Sequence, residues 1–155
     1  IELLRKALMF PVRGLRIIHR LEQGPGPGPI PGQLRTICMD MIAFFDEMVP
    51  CWAAMRSAGI HPGTGMDCSS LPGRRNAAVR ARLALESWFC QLADDGRIRK
   101  GIDCQATAVA LIGSLQTLPF RRHILRDTDL EQSNEEYVEA LLWLLWPGLT
   151  PGEKT

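Results

Sequence analysis

The chain has 155 residues, 46% of them hydrophobic, and sets 18 Lys and Arg against 17 Asp and Glu. That length suits one domain with a sizeable core, and the cancelled charge excludes the strong positive field that holds nucleic-acid phosphates. The apolar run from Val138 to Trp146 falls well short of the roughly 20 residues that span a bilayer, so a cytoplasmic protein with no membrane role is expected.

Residues 1–21 read as a helix, with Leu4, Leu8, Leu15, Ile18 and Leu21 at helical steps. No cap precedes Ile1, so the pattern reads as a helix entered partway. Pro11 and Gly14 interrupt it, and a kink is expected near Met9 and Phe10. The run of Gly and Pro over 23–32 reads as an exposed connection without chemistry of its own.

Residues 33–57 give the strongest helical pattern. Leu34, Ile37, Cys38, Met41, Phe45, Met48, Trp52 and Met55 recur at steps of three and four. Ile42, Val49 and Ala53 form a second stripe that widens the apolar surface. Pro50 deprives the Asp46 carbonyl of its usual partner, so a bend is expected that opens space beside Met48, Cys51 and Trp52. Gly59 ends this helix, and residues 60–73 read as mostly loop.

A third helix is expected over 74–95, with Ala78, Ala81, Leu85, Trp88 and Leu92 on one face, and Gly96 as a left-handed stop. Asp103 caps the next. Its small residues Ala106, Ala110 and Gly113 would admit another helix at close range. Pro119 ends or kinks it, and residues 120–126 add a turn or two. Ser133 and Glu136 form a capping box for the last helix, which Pro147 and Gly148 stop. No alternating run is long enough for a strand, so the fold class is all-α, a helical bundle.

Cys38, Cys51, Cys68, Cys90 and Cys104 show neither paired spacing nor a neighbouring His at metal-ligand distance. They indicate no disulfide framework and no zinc site, and Cys38, Cys51 and Cys90, inside amphipathic segments, read as small apolar residues in a reducing compartment. His19, His61 and His123 are scattered, and Asp94 with Asp95 reads as a helix end. Catalysis needs a nucleophile beside a base, a metal, or two carboxylates in a cleft, and none has a signature here. The chain is not expected to be an enzyme, and no cofactor or metal is expected.

The order of these elements resembles the C-terminal regulatory domain of the TetR family of transcriptional regulators. The likeness lies in Phe44-Phe45-Asp46-Glu47-Met48-Val49-Pro50, Leu85 to Gly96, Arg97-Ile98-Arg99, Asp103, Ala106 to Gly113 and Tyr137 to Leu142. It covers nearly the whole chain, 1–155, as one ligand-binding and dimerisation domain. The resemblance implies a helix over 1–21 that connects to an N-terminal helix-turn-helix, a DNA-binding module that this chain does not contain.

It also implies that the last two long helices pair with their copies in a dimeric four-helix bundle, for which the candidate interface residues are Ala106, Ala110, Gly113, Leu141, Leu142, Leu145 and Trp146. Leu141, Leu142, Leu145 and Trp146 cannot all face one small body while Val138, Trp143 and Leu144 also find cover. The remaining helices would enclose a cavity for a small apolar or amphipathic effector.

Large flexible or flat side chains around the proline make Met41, Phe45, Met48, Trp52, Met55 and Trp88 the candidate ligand-binding residues, with Asp46, Gln116, Thr117 and His19 as polar anchors. The expected function is a ligand-responsive regulator, a repressor, whose partners are itself, its effector and, through the absent module, DNA. A composition rich in Arg, Ala, Gly and Pro fits a bacterial source. The alternative is an all-helical module for a hydrophobic ligand or peptide, with no role on DNA.

Overall fold

The computed structural model describes residues 14–59 and 77–151. Among them are five α-helices and no strand. We label them α1 (14–22), α2 (Ile30–Ser57), α3 (Ala77–Asp94), α4 (Cys104–Phe120) and α5 (Asn134–Leu149), with a π-helical turn, Arg121–Leu125, continuing α4. The kink expected near Met9 and Phe10, the loop over 60–73, and Cys68 and His61 lie outside the described residues.

Helix α2 is the spine. One of its sides buries Leu34, Ile37, Cys38, Met41, Ile42, Phe45 and Met48, and α4, α5 and the π turn pack on it, while α3 packs on α4. Leu85, Trp88, Phe89 and Leu92 of α3, with Leu111, Leu115 and Leu118 of α4, complete one contiguous apolar core. Trp88 and Phe89 meet edge to face, centroids 5.4 Å apart. No polar or charged side chain among the described residues falls in the buried class, so burial of hydrocarbon is the dominant cohesive term.

Helix α1 lies against α2 at Gly14, where an added Cβ would meet the Phe44 ring at 3.3 Å. Ion pairs from Arg20 to Asp40 and from Arg80 to Glu22 link α1 with α2 and α3. They are exposed and set orientation more than stability.

The caps follow from local chemistry. Asp103 accepts a hydrogen bond from the Ala106 N–H at 2.8 Å. At the start of α5, the Ser133 hydroxyl accepts from the Glu136 N–H and the Glu136 carboxylate accepts from the Ser133 N–H, the capping box that the spacing predicts. Gly96 ends α3 at φ 69°, and the Arg97 N–H closes back on the Leu92 carbonyl at 2.9 Å.

Four sequence expectations are corrected. Helix α2 begins at Ile30 and not at Gln33, because Pro31 in a first turn loses no helical hydrogen bond. The Gly and Pro connection before it is partly buried and pinned. The Arg97 guanidinium donates to the carbonyls of Gly26 and Gly28 at 2.7 and 2.8 Å, and the Gln33 amide bonds the same two residues.

Helix α5 runs through Pro147 and Gly148 to Leu149. Leu149 is buried, its carbonyl accepts from the Arg99 N–H at 2.7 Å, and the carbonyl that Pro147 leaves unpaired belongs to Trp143, on the exposed face. Finally, Cys90 and Cys104 are paired, their Cα atoms 5.7 Å apart. The tight turn at Gly96 folds the end of α3 onto the start of α4, a closeness that no spacing rule in the sequence signals.

Candidate functional site

Helix α2 has 28 residues, about 42 Å at 1.5 Å per residue, so its last turns run past most of the core. Val49, Trp52, Ala53 and Arg56 form one stripe there. Across from them, Gln116, Phe120 and Ile124 stand four residues apart on α4 and the π turn, and Ala78 comes from the start of α3. Together they line a hollow of about 510 Å³, within the range of sites for small molecules.

Trp52, Phe120 and Ile124 are 41%, 44% and 38% exposed. Three large apolar side chains left half open around one hollow is an arrangement that a guest would relieve. Among the described residues, the Arg56 guanidinium and the Gln116 amide have no hydrogen-bond or ion-pair partner. No acidic side chain is among the described lining residues.

The wall carrying Phe120 and Ile124 is fastened to its surroundings by a polar cluster on Asp46. Its carboxylate accepts from the Asn134 amide at 2.6 Å and lies 3.1 Å from His123 Nε2 and 3.8 Å from Arg122. Arg122 in turn donates to the Asn134 side-chain oxygen at 2.6 Å and to the Gln132 carbonyl. One carboxylate thereby joins α2, the π turn and the start of α5. A π-helical turn widens the helix locally and recurs at functional sites. Here it also brings Ile124 round to the hollow.

No family model, no curated protein and no solved structure matches the chain.

Of the six candidate ligand residues, Trp52 lines the hollow. Met41, Phe45, Met48 and Trp88 are buried in the core cluster, and Met55 is half-buried, its sulfur 4.0 Å from the Cys51 thiol. On α2 the hollow is lined by Val49 and Ala53 of the second stripe together with Trp52, the one residue of the first stripe that reaches it. Of the four polar anchors, Gln116 faces it. Thr117 bonds the Gly113 carbonyl of its own helix, His19 bonds Gln23, and Asp46 holds the polar cluster.

Arg56, Phe120 and Ile124 were missed by the sequence reading. The signal for Arg56 was its place four residues after Trp52. For the others it was the fourfold step that carries on past Pro119.

The seven candidate interface residues divide by helix. Ala106, Ala110 and Gly113 are exposed on α4, while Leu141, Leu142, Leu145 and Trp146 are half-buried against the core. The outermost apolar side chains of this region are Val109, Trp143 and Leu144, 50%, 81% and 68% exposed. Between α4 and α5 a groove of about 330 Å³ is lined by Ala106, Ala110, Leu145 and Leu149 over a floor of Leu34 and Phe89. The Tyr137 hydroxyl crosses to donate to the Ser114 carbonyl at 2.9 Å.

Among the described residues no helix is long and apolar enough to cross a membrane, and no three of His, Cys, Asp and Glu gather as a metal-holding group.

Proposed function

We propose that this chain is the effector-binding and dimerisation part of a cytoplasmic bacterial transcriptional regulator of the TetR type, acting as a repressor. The observation that carries the reading is the hollow beside Trp52, half-open apolar walls around two polar groups that have no partner among the described residues. Self-association is supported by the bare apolar faces of α4 and α5. In this reading the two helices pair with their copies as a four-helix bundle, with Ala106, Ala110 and Gly113 admitting close approach. DNA is read by a module that this chain does not contain.

The mechanism is allosteric. An effector acts only through its different affinity for two arrangements. Bound between Trp52 and Phe120, it favours one position of the π turn, and the Asp46 cluster passes the change to α2 and to the start of α5. Helix α2 bears on α1 through Phe44 against Gly14 and through Asp40 with Arg20. A pivot of α1 changes the separation of two DNA-reading modules, whose half-sites lie about one turn of DNA apart.

The deciding experiment takes the complete natural polypeptide and selects its binding site from a random duplex library. Affinity for that site is then measured with and without a small molecule whose binding requires Trp52. We expect a change of at least about tenfold, the usual scale of allosteric coupling. Failure to select a site, together with retained binding of small molecules, would favour a hydrophobic-ligand module without a DNA role. An affinity that no bound effector alters removes the regulatory mechanism.

A further inference from the structure

We propose that the hollow beside Trp52 takes an amphipathic carboxylic acid, bound as its anion with its apolar body between Trp52 and Phe120 and its carboxylate on Arg56 and Gln116. The assignment rests on the ligand-binding reading above and names the chemistry of the guest.

A guanidinium has five N–H donors and no acceptor, and among the described residues that of Arg56 has neither an ion-pair nor a hydrogen-bond partner. Gln116, half-buried, likewise has no partner for its amide among them. The other described lining side chains are Val49, Trp52, Ala53, Ala78, Phe120 and Ile124, all hydrocarbon or aromatic. The described lining of the hollow thus carries one positive charge, one amide and an apolar remainder.

Each class of guest can be tested against that inventory. A cation would meet Arg56 with no acidic side chain among the described lining residues to offset it. A neutral hydrocarbon would satisfy the walls but would draw water away from the two polar groups and return nothing. A phosphate ester brings up to two charges where a single guanidinium waits. A carboxylate matches the planar fork of Arg in charge and shape, and the Gln116 amide can donate to the same group. Trp52 and Phe120 offer flat faces suited to an aromatic or branched aliphatic body.

The test uses the 155-residue chain and two probes with the same body, 2-naphthoate and its neutral counterpart 2-naphthamide, titrated by calorimetry at two salt concentrations. A charge-assisted hydrogen bond predicts that the acid binds about tenfold more tightly than the amide, with an advantage that shrinks as salt rises. Arg56→Gln should abolish that advantage, bringing the acid to no better than the amide, and Arg56→Lys should restore part of it. Because Arg56 is exposed, these variants should keep the wild-type circular dichroism and melting behaviour, and Trp52→Ala should weaken both probes alike.

Equal affinities for the two probes, or an acid advantage that survives Arg56→Gln, would overturn the carboxylate assignment and leave the ligand-binding reading standing. Binding of neither probe at millimolar concentration would overturn both.

Discussion

Cys38 shows how burial alone changes the chemistry of one side chain. It lies fully inside α2's core face, and desolvation of the thiolate pushes its pKa from 9.0 up to about 12. The folded protein therefore keeps a proton that the unfolded chain releases. Its contribution to stability is complete below pH 9 and is lost as the pH rises toward 12, by at most about 1.4 kcal/mol per pH unit. We expect urea-unfolding free energies of Cys38→Ala to fall less steeply between pH 9 and 11 than those of the wild type, and parallel slopes would refute this.

The apolar role of Cys38 and Cys51 was legible from their place in a helical stripe. The partners of Asp46 were not, since Arg122, His123 and Asn134 stand 76 to 88 positions away and no local pattern joins them.

At the scale of the element, helix ends were the most legible feature, because caps are made by residues three or four apart. Ser133→Ala removes one arm of the box at α5 and should cost about 1 kcal/mol, measurable by denaturant titration. The Ser133 N–H holds the Glu136 carboxyl below its ordinary value of 4.5. The Glu136 share is accordingly present above that range and is lost as pH falls through the lowered value. An unchanged midpoint in Ser133→Ala would mean that the box does not limit stability.

The Cys90–Cys104 pair joins elements 14 positions apart, and closing a loop of that length stabilises by about 3 kcal/mol under oxidising conditions. Reductant should lower the melting temperature of the wild type to that of Cys104→Ala and leave that variant's own melting temperature unmoved. A wild type indifferent to reductant would show that the pair stays as two thiols. Helix α5 passes through Pro147 for the converse reason. The buried seat of Leu149 and the bond from Arg99 come from outside the helix and outweigh one missing N–H.

For the whole molecule, the question is what covers α4 and α5. An indole 81% exposed beside a leucine 68% exposed is costly in water, and the proposed contact across a two-fold axis would relieve it. Light scattering should give twice the chain mass, and the double variant Trp143→Arg, Leu144→Glu should give the single mass with the fold retained. A wild type that scatters as a single copy at high concentration would remove the dimer from the proposal.

The amino-acid order by itself determined that this chain is helical, where α4 and α5 start, where α2 and α3 stop, and that more apolar surface exists than one small body hides. These are consequences of periodicity and of bonds made within a few residues. Only the tertiary structure decided which residues of the two α2 stripes face the core and which, Val49, Trp52 and Ala53 among them, line the hollow. It likewise decided that Arg97 clamps the Gly and Pro connection, that Asp46 ties three elements together and that Cys90 meets Cys104. The physical reason is that two faces of a helix with similar hydropathy are told apart by what packs on them, and the packing partners of α2 come from α4, the π turn and α5, distant along the chain.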